Sequence, residues 1–177
     1  LALHSNAAPE GQYGQIRGIL VFYYPGSVQG QRAATLVADG LKTLYPLPNR
    51  VRAEPTTSVG EVRRVRAPSV FLELGYHDNY ADAAWVENNM DAIARELARS
   101  LTEYFGLPFI EPQPVVQGTV STSGSPLRLR AYPSAAGQTI ALMPNGASVT
   151  VYGAWQGWNT VEYNGNLGYA AEAYIEN

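Results

Sequence analysis

The sequence predicts an α/β unit, built on a mostly parallel sheet with flanking helices, followed by a small all-β barrel. Three observations carry this. Up to Gly106, short apolar runs alternate with stretches of three- and four-residue hydrophobic spacing. Pro108, Pro112 and Pro114 then interrupt the chain. Beyond Gly118 the apolar residues recur at short range between turn residues, and no convincing helical period is left. The expected division is 1–106, a linker over 107–117, and 118–177.

The elements follow in order. Leu1-Ala2-Leu3-His4 is an apolar, strand-like run ending on a histidine. Ile19-Leu20-Val21-Phe22-Tyr23-Tyr24 is continuous, apolar and partly β-branched, the composition of a strand buried on both faces, and Pro25-Gly26 closes it. Ser27 is placed to cap a helix in which Val28, Leu36, Val37, Leu41 and Leu44 recur, with Pro46 and Pro48 stopping it. Ser69-Val70-Phe71-Leu72 reads as a second buried strand. After a turn at Asp78-Asn79, residues 81–105 place Val86, Met90, Ile93, Leu97, Leu101 and Phe105 at helical steps, predicting one long amphipathic helix stopped by Gly106. Such a series predicts a sheet covered on both faces. The spaced prolines make 107–117 a semi-rigid extended linker. In the last part, strands are expected over 127–130, 139–142, 148–152, 158–163 and 168–171, with turns at Pro144-Asn145-Gly146 and Asn164-Gly165-Asn166. Trp158 and Tyr169 are expected in the barrel core, while Tyr132 and Trp155, near turns, suit an exposed groove.

Composition excludes several function classes. The chain has 177 residues, no Cys and two His, with 12 Lys and Arg against 15 Asp and Glu for a net charge of −3. There is no thiolate zinc site, no Cys nucleophile and no self-contained three-His site. The charge balance disfavours a nucleic-acid role; in 118–177 only Arg128 and Arg130 stand against Glu162, Glu172 and Glu176. No apolar run approaches the roughly 20 residues of a membrane-spanning helix.

Two places carry chemistry. His4 ends a strand-like run, where sites collect in α/β sheets, yet a lone histidine there is also an ordinary structural residue. Glu73 follows the buried run 69–72 directly. It reads equally as a strand-end carboxylate accepting loop amides and as a general base or acid, because burying a carboxylate demands compensation. His77, four residues on, is a candidate for a direct substrate or metal contact, or else orients the loop or lies on the cleft rim; Asn6 and Tyr24 could line the same groove as substrate contacts.

Four segments together resemble the C-terminal portion of the zinc-dependent N-acetylmuramoyl-L-alanine amidases of the amidase-3 type: Leu3-His4-Ser5-Asn6-Ala7, Gly18 to Ser27, Glu73-Leu74-Gly75-Tyr76-His77-Asp78-Asn79, and Asp82-Ala83-Ala84-Trp85. By that resemblance His4 matches the third ligand of the family's His, Glu, His zinc set, and Glu73 the catalytic glutamate. Zinc is the implied cofactor, and peptidoglycan the implied substrate, cut between N-acetylmuramic acid and L-alanine. Residues 118–177 resemble a bacterial SH3-type cell-wall domain through Gly118-Thr119-Val120, Ser125 to Arg130, Tyr132-Pro133-Ser134, Met143 to Ala147, Trp155-Gln156-Gly157-Trp158 and Leu167-Gly168-Tyr169. Such domains bind stem or bridge peptides of the wall and raise the enzyme's local concentration there. Tyr132 and Trp155 are the expected wall contacts.

The resemblance has no counterpart here for the first His, the Glu ligand and the opening strands. A fragment of a longer amidase is therefore expected, completed by a preceding segment or by a second copy. The alternative is an inactive chain acting as a cell-wall-binding module alone. A secreted, cell-wall location is inferred from the substrate, since no export signal opens the sequence.

Overall fold

The computed structural model describes residues 1–176, which form two compact units, Leu1–Leu107 and Pro108 onward. The first holds strands β1 (Ala2–Asn6), β2 (Ile19–Tyr23), β3 (Val51–Pro55) and β4 (Val70–Tyr76), with helices α1 (Val28–Lys42), α2 (Gly60–Arg63), α3 (Tyr80–Asn88) and α4 (Met90–Phe105). The sheet order is β1-β4-β2-β3. The ladders β1–β4 and β2–β3 are parallel; the central β2–β4 ladder is antiparallel. The sheet is thus mostly parallel but mixed, and the mixture matters for the site.

Side-chain alternation divides the sheet into two faces. Ile19, Val21, Val51, Val70 and Leu72 point to one face and join Ala34, Val37, Ala38 and Leu41 of α1 with Ile93 and Leu97 of α4 in a single core. Ser27 caps α1 as expected, its side chain accepting from the Gly30 amide at 3.1 Å. Val28 is 74% exposed, so the buried stripe begins one turn later. The register places His4, Glu73, Leu20 and Arg52 in one row across the opposite face. The α1–α4 core lies on one side only, which corrects the expectation of a core on both.

The long helix expected over 81–105 is two helices. Asn89 leaves helical geometry, at φ −128° and ψ 18°. Its side-chain amide donates to the Trp85 carbonyl and that of Asn88 to the Ala84 carbonyl, both at 2.7 Å. Side-chain amides thus take the carbonyl acceptors that a continuing backbone would have used. Gly106 stops α4 in the left-handed region, at φ 67°.

The second unit is a separate antiparallel sheet of β5 (Val116–Val120), β6 (Leu127–Arg130), β7 (Thr139–Met143), β8 (Ser148–Trp155), β9 (Trp158–Tyr163), β10 (Asn166–Ala171) and β11 (Ile175–Glu176). Its order, β11-β5-β8-β9-β10-β6-β7, leaves β11 and β7 as edges among the described residues, so the expected barrel is not closed by hydrogen bonds. All seven strands nevertheless contribute to one core, including Val120, Leu129, Met143, Val149, Val161, Ala170 and Ile175, as a sheet curling over its own apolar face requires. Trp158 and Tyr169 are half-buried and outside that core, against expectation. No helix among the described residues is long and apolar enough to cross a membrane.

Candidate active site

β1 and β4 bring the two leading candidates together. His4 and Glu73 are partners across the parallel ladder, on the face away from α1. The His4 ring is exposed and stacks on Phe71 with centroids 4.3 Å apart and planes at 26°. Phe71, buried two residues before Glu73, is therefore the floor on which the imidazole lies. Phe71 is buried, as expected for the run 69–72, but its stacking on His4 depends on the β1–β4 pairing and has no signal in the sequence.

Glu73 is half-buried, and its Oε2 is buried without a hydrogen-bond partner. Burial raises its pKa, and the nearby His4 and His77 only partly offset this. Among the described residues no loop amide donates to that oxygen, so the reading of a carboxylate satisfied by loop amides has no support at Oε2. A carboxylate with an open, poorly solvated oxygen is a group kept ready for a proton.

Loop contacts hold the rim. His77 Nδ1 is 3.1 Å from the Ser5 hydroxyl, and the His77 amide donates to the Asn6 carbonyl at 2.9 Å. Asn6 Oδ1 accepts from the Ala7 amide at 2.9 Å. Ser5, Tyr76, His77 and Val86 line a cleft of about 170 Å³ that includes neither His4 nor Glu73. His77 thus adjoins the His4–Glu73 pair through charge and the backbone, and its ring is committed to Ser5. Tyr24 lies elsewhere. Because β2 runs antiparallel to β4, Leu20 faces Glu73 while Tyr23 faces Val70, which carries Tyr24 roughly 13 Å along the sheet from Glu73.

Asp82 is the anchor that sequence reading did not single out for a role. It is fully buried, accepting from Arg17 Nε at 2.8 Å, Tyr45 Oη at 2.6 Å, and the Gly18 and Tyr76 amides at 3.1 Å each. Burial alone would raise its pKa, but those donors outweigh it and hold the carboxyl below its ordinary range. The carboxylate ties the start of β2 to the end of β4. Gly75, at φ 75°, lets β4 turn past it; a Cβ there would meet the Asp82 Cβ at 3.3 Å. Asp78 fastens the preceding loop, accepting from the Ala8 amide at 3.1 Å and the Gly14 amide at 2.9 Å. Asp82, in the first turn of α3, and Asp78, in the turn before it, both read as surface charges in sequence, because their partners lie more than 60 residues away or across the sheet.

A family model described as N-acetylmuramoyl-L-alanine amidase matches residues 1–103. The chain belongs to this amidase family. A bacterial SH3 domain model matches residues 125–176, after the amidase segment. Among solved structures, the fold resembles the CwlD amidase from Clostridioides difficile, solved in complex with the GerS lipoprotein, at 19% identity and a TM-score of 0.52 over 59% of this chain and 52% of that one. It also resembles an N-acetylmuramoyl-L-alanine amidase from Clostridium difficile 630, at 18% identity and a TM-score of 0.50 over 59% of this chain and 55% of that one. The chain spans about half the length of these solved amidases. No curated protein is a significant sequence match.

The amidase family is generally zinc-dependent, so the donor set can be tested against that ion. Among the described residues no cluster of three or more His, Cys, Asp or Glu side chains suits a metal. Exposed His4 beside the partnerless Glu73 oxygen fits one ligand and one proton-handling carboxylate of a zinc hydrolase. The pair does not by itself complete such a centre.

Proposed function

We propose that this chain belongs to a secreted peptidoglycan hydrolase that cleaves the amide between N-acetylmuramic acid and L-alanine, with Glu73 as general base and then acid. The observation that carries this reading is the buried, partnerless Glu73 oxygen on the same sheet row as His4. A raised carboxylate pKa suits a group that must both take and return a proton near neutral pH. In this reading Glu73 Oε2 accepts a proton from the attacking water and returns it to the departing alanine nitrogen. His4, seated on Phe71, serves as one ligand of a zinc ion whose other ligands lie outside the residues described. Zinc, when bound, lowers the pKa of a coordinated water and polarises the scissile carbonyl. Asn6 and His77 contribute at the rim, with Ser5 holding the His77 ring. The SH3 domain concentrates the enzyme on the wall, with Tyr132, 42% exposed, and half-buried Trp155 as aromatic contacts.

The reading is tested with the whole hydrolase to which the chain belongs, on purified peptidoglycan with zinc supplied, by sequencing the new amino termini released. It expects new N-terminal alanine, reduced at least a hundredfold by Glu73→Gln. Release that Glu73→Gln leaves unchanged, or new termini other than alanine, contradicts it. Wall sedimentation without any cleavage contradicts the amidase reading and leaves a binding module.

A further inference from the structure

The second unit has two cations, and both line one cleft. From Pro108 onward the only Lys or Arg residues are Arg128 and Arg130, against Glu111, Glu162, Glu172 and Glu176. Along β6, Leu127 and Leu129 are buried while Arg128 is exposed and Arg130 half-buried, so period-two alternation turns both guanidinium groups to the outer face. There they line a cleft of about 410 Å³ with Thr122, Trp158 and Tyr174. Arg130 Nη1 donates to the Gly137 carbonyl at 2.6 Å, which fixes its guanidinium and leaves other N–H groups open. The Arg128 guanidinium has no ion pair or hydrogen bond among the described residues. Thr122 Oγ1 is likewise buried without a partner.

These features select a ligand chemistry. A guanidinium fork matches a carboxylate in two parallel hydrogen bonds, and an anion is drawn to the one positive spot of an otherwise acidic unit. Trp158, outside the core, and Tyr174, 48% exposed, supply flat apolar walls beside that spot. The volume suits a short peptide, not a long polymer segment.

We propose that this cleft binds a carboxylate-bearing peptide, with Arg128 and Arg130 holding the carboxylate and Trp158 and Tyr174 packing the adjoining residues. The proposal rests on the wall-targeting reading and narrows it: acidic stem peptides fit, and an uncharged bridge does not.

The test titrates the chain, by tryptophan fluorescence, with a synthetic alanyl-glutamyl-lysyl-alanine tetrapeptide and with the same peptide amidated at both carboxylates. Sedimentation with purified peptidoglycan is run alongside. The free acid should bind at least roughly tenfold tighter than the amidated peptide, and less tightly as salt rises. Arg128→Gln should lose a similar factor, with Arg128→Lys recovering part of it. Arg128 is exposed, and an unchanged melting temperature confirms that its variants fold. Equal binding of the two peptides, or an Arg128→Gln variant that binds like the parent, overturns the proposal. If the parent and Arg128→Gln still sediment equally with the wall, wall targeting survives and this cleft is not its site. If the parent does not sediment at all, the targeting reading falls and takes the proposal with it.

Discussion

His4 and Glu73 sit side by side on parallel neighbouring strands, and the carboxylate gains no hydrogen bond on the oxygen it buries. A purely structural acid would be satisfied there; this one is left at a cost to folding. In the reading proposed for Glu73, function and stability therefore pull against each other at one residue.

That conflict predicts the effect of Glu73→Gln on folding. A carboxyl whose folded pKa is raised contributes stability that is fully present below its unfolded pKa and lost as pH rises through the folded value. At pH 7 the parent has lost that contribution, whereas the amide variant has no charge to desolvate. Urea unfolding should show the variant more stable at pH 7 by a few tenths to about 1 kcal/mol, a figure discounted for solvent screening of a half-buried group. The gain should shrink towards pH 4. A variant that is less stable than the parent at neutral pH contradicts this account of Glu73.

Asp82 predicts the reverse. Asp82→Asn removes a fully buried charge that satisfies Arg17, Tyr45 and two backbone amides, and should cost about 3 kcal/mol in a urea titration. Its folded pKa is lowered, so its contribution is present above the ordinary carboxylate range and disappears as pH falls through the depressed value. The parent should lose stability on acidification below about pH 4, and the variant should lose less over the same range. Equal acid sensitivity of the two would show that Asp82 is not the group responsible.

Much of the fold was legible because the relevant signals are local. Ser27 before the α1 spacing and Gly106 after α4 act through their nearest neighbours, and both caps form where expected. The five strands expected in the second unit all occur, with β7, β8 and β10 longer than expected. What was not legible depends on partners distant in sequence. The strand at Val51–Pro55, Val-Arg-Ala-Glu-Pro, carries too few apolar residues to read as a strand and is held by pairing with β2. The antiparallel β2–β4 pairing, which removes Tyr24 from the neighbourhood of Glu73, is invisible in a run of apolar residues. Of the site, Glu73 and His4 could be named from motifs, whereas the Phe71 floor and the Asp82 anchor required three-dimensional neighbours.

Gly75 tests the link between the turn and the anchor. Its left-handed φ and the 3.3 Å approach to the Asp82 Cβ leave little room for a side chain. Gly75→Ala should destabilise the first unit by about 1–2 kcal/mol. Gly26→Ala, also at positive φ but with nothing within 4 Å, should cost less. Thermal melts of the two variants compare them directly. Equal losses would mean that backbone strain alone, without the Asp82 contact, sets the cost at Gly75.

The central claim is that His4 and Glu73 act as one site. It is tested most directly by a double-mutant cycle on kcat/KM for alanine-terminus release in the whole hydrolase, using His4→Ala, Glu73→Gln and the double variant with zinc supplied. Residues that work as a unit lose activity non-additively, so the double variant should be about as impaired as the worse single variant. Losses that multiply in the double variant, or a single variant with the parent's rate, would contradict a shared site.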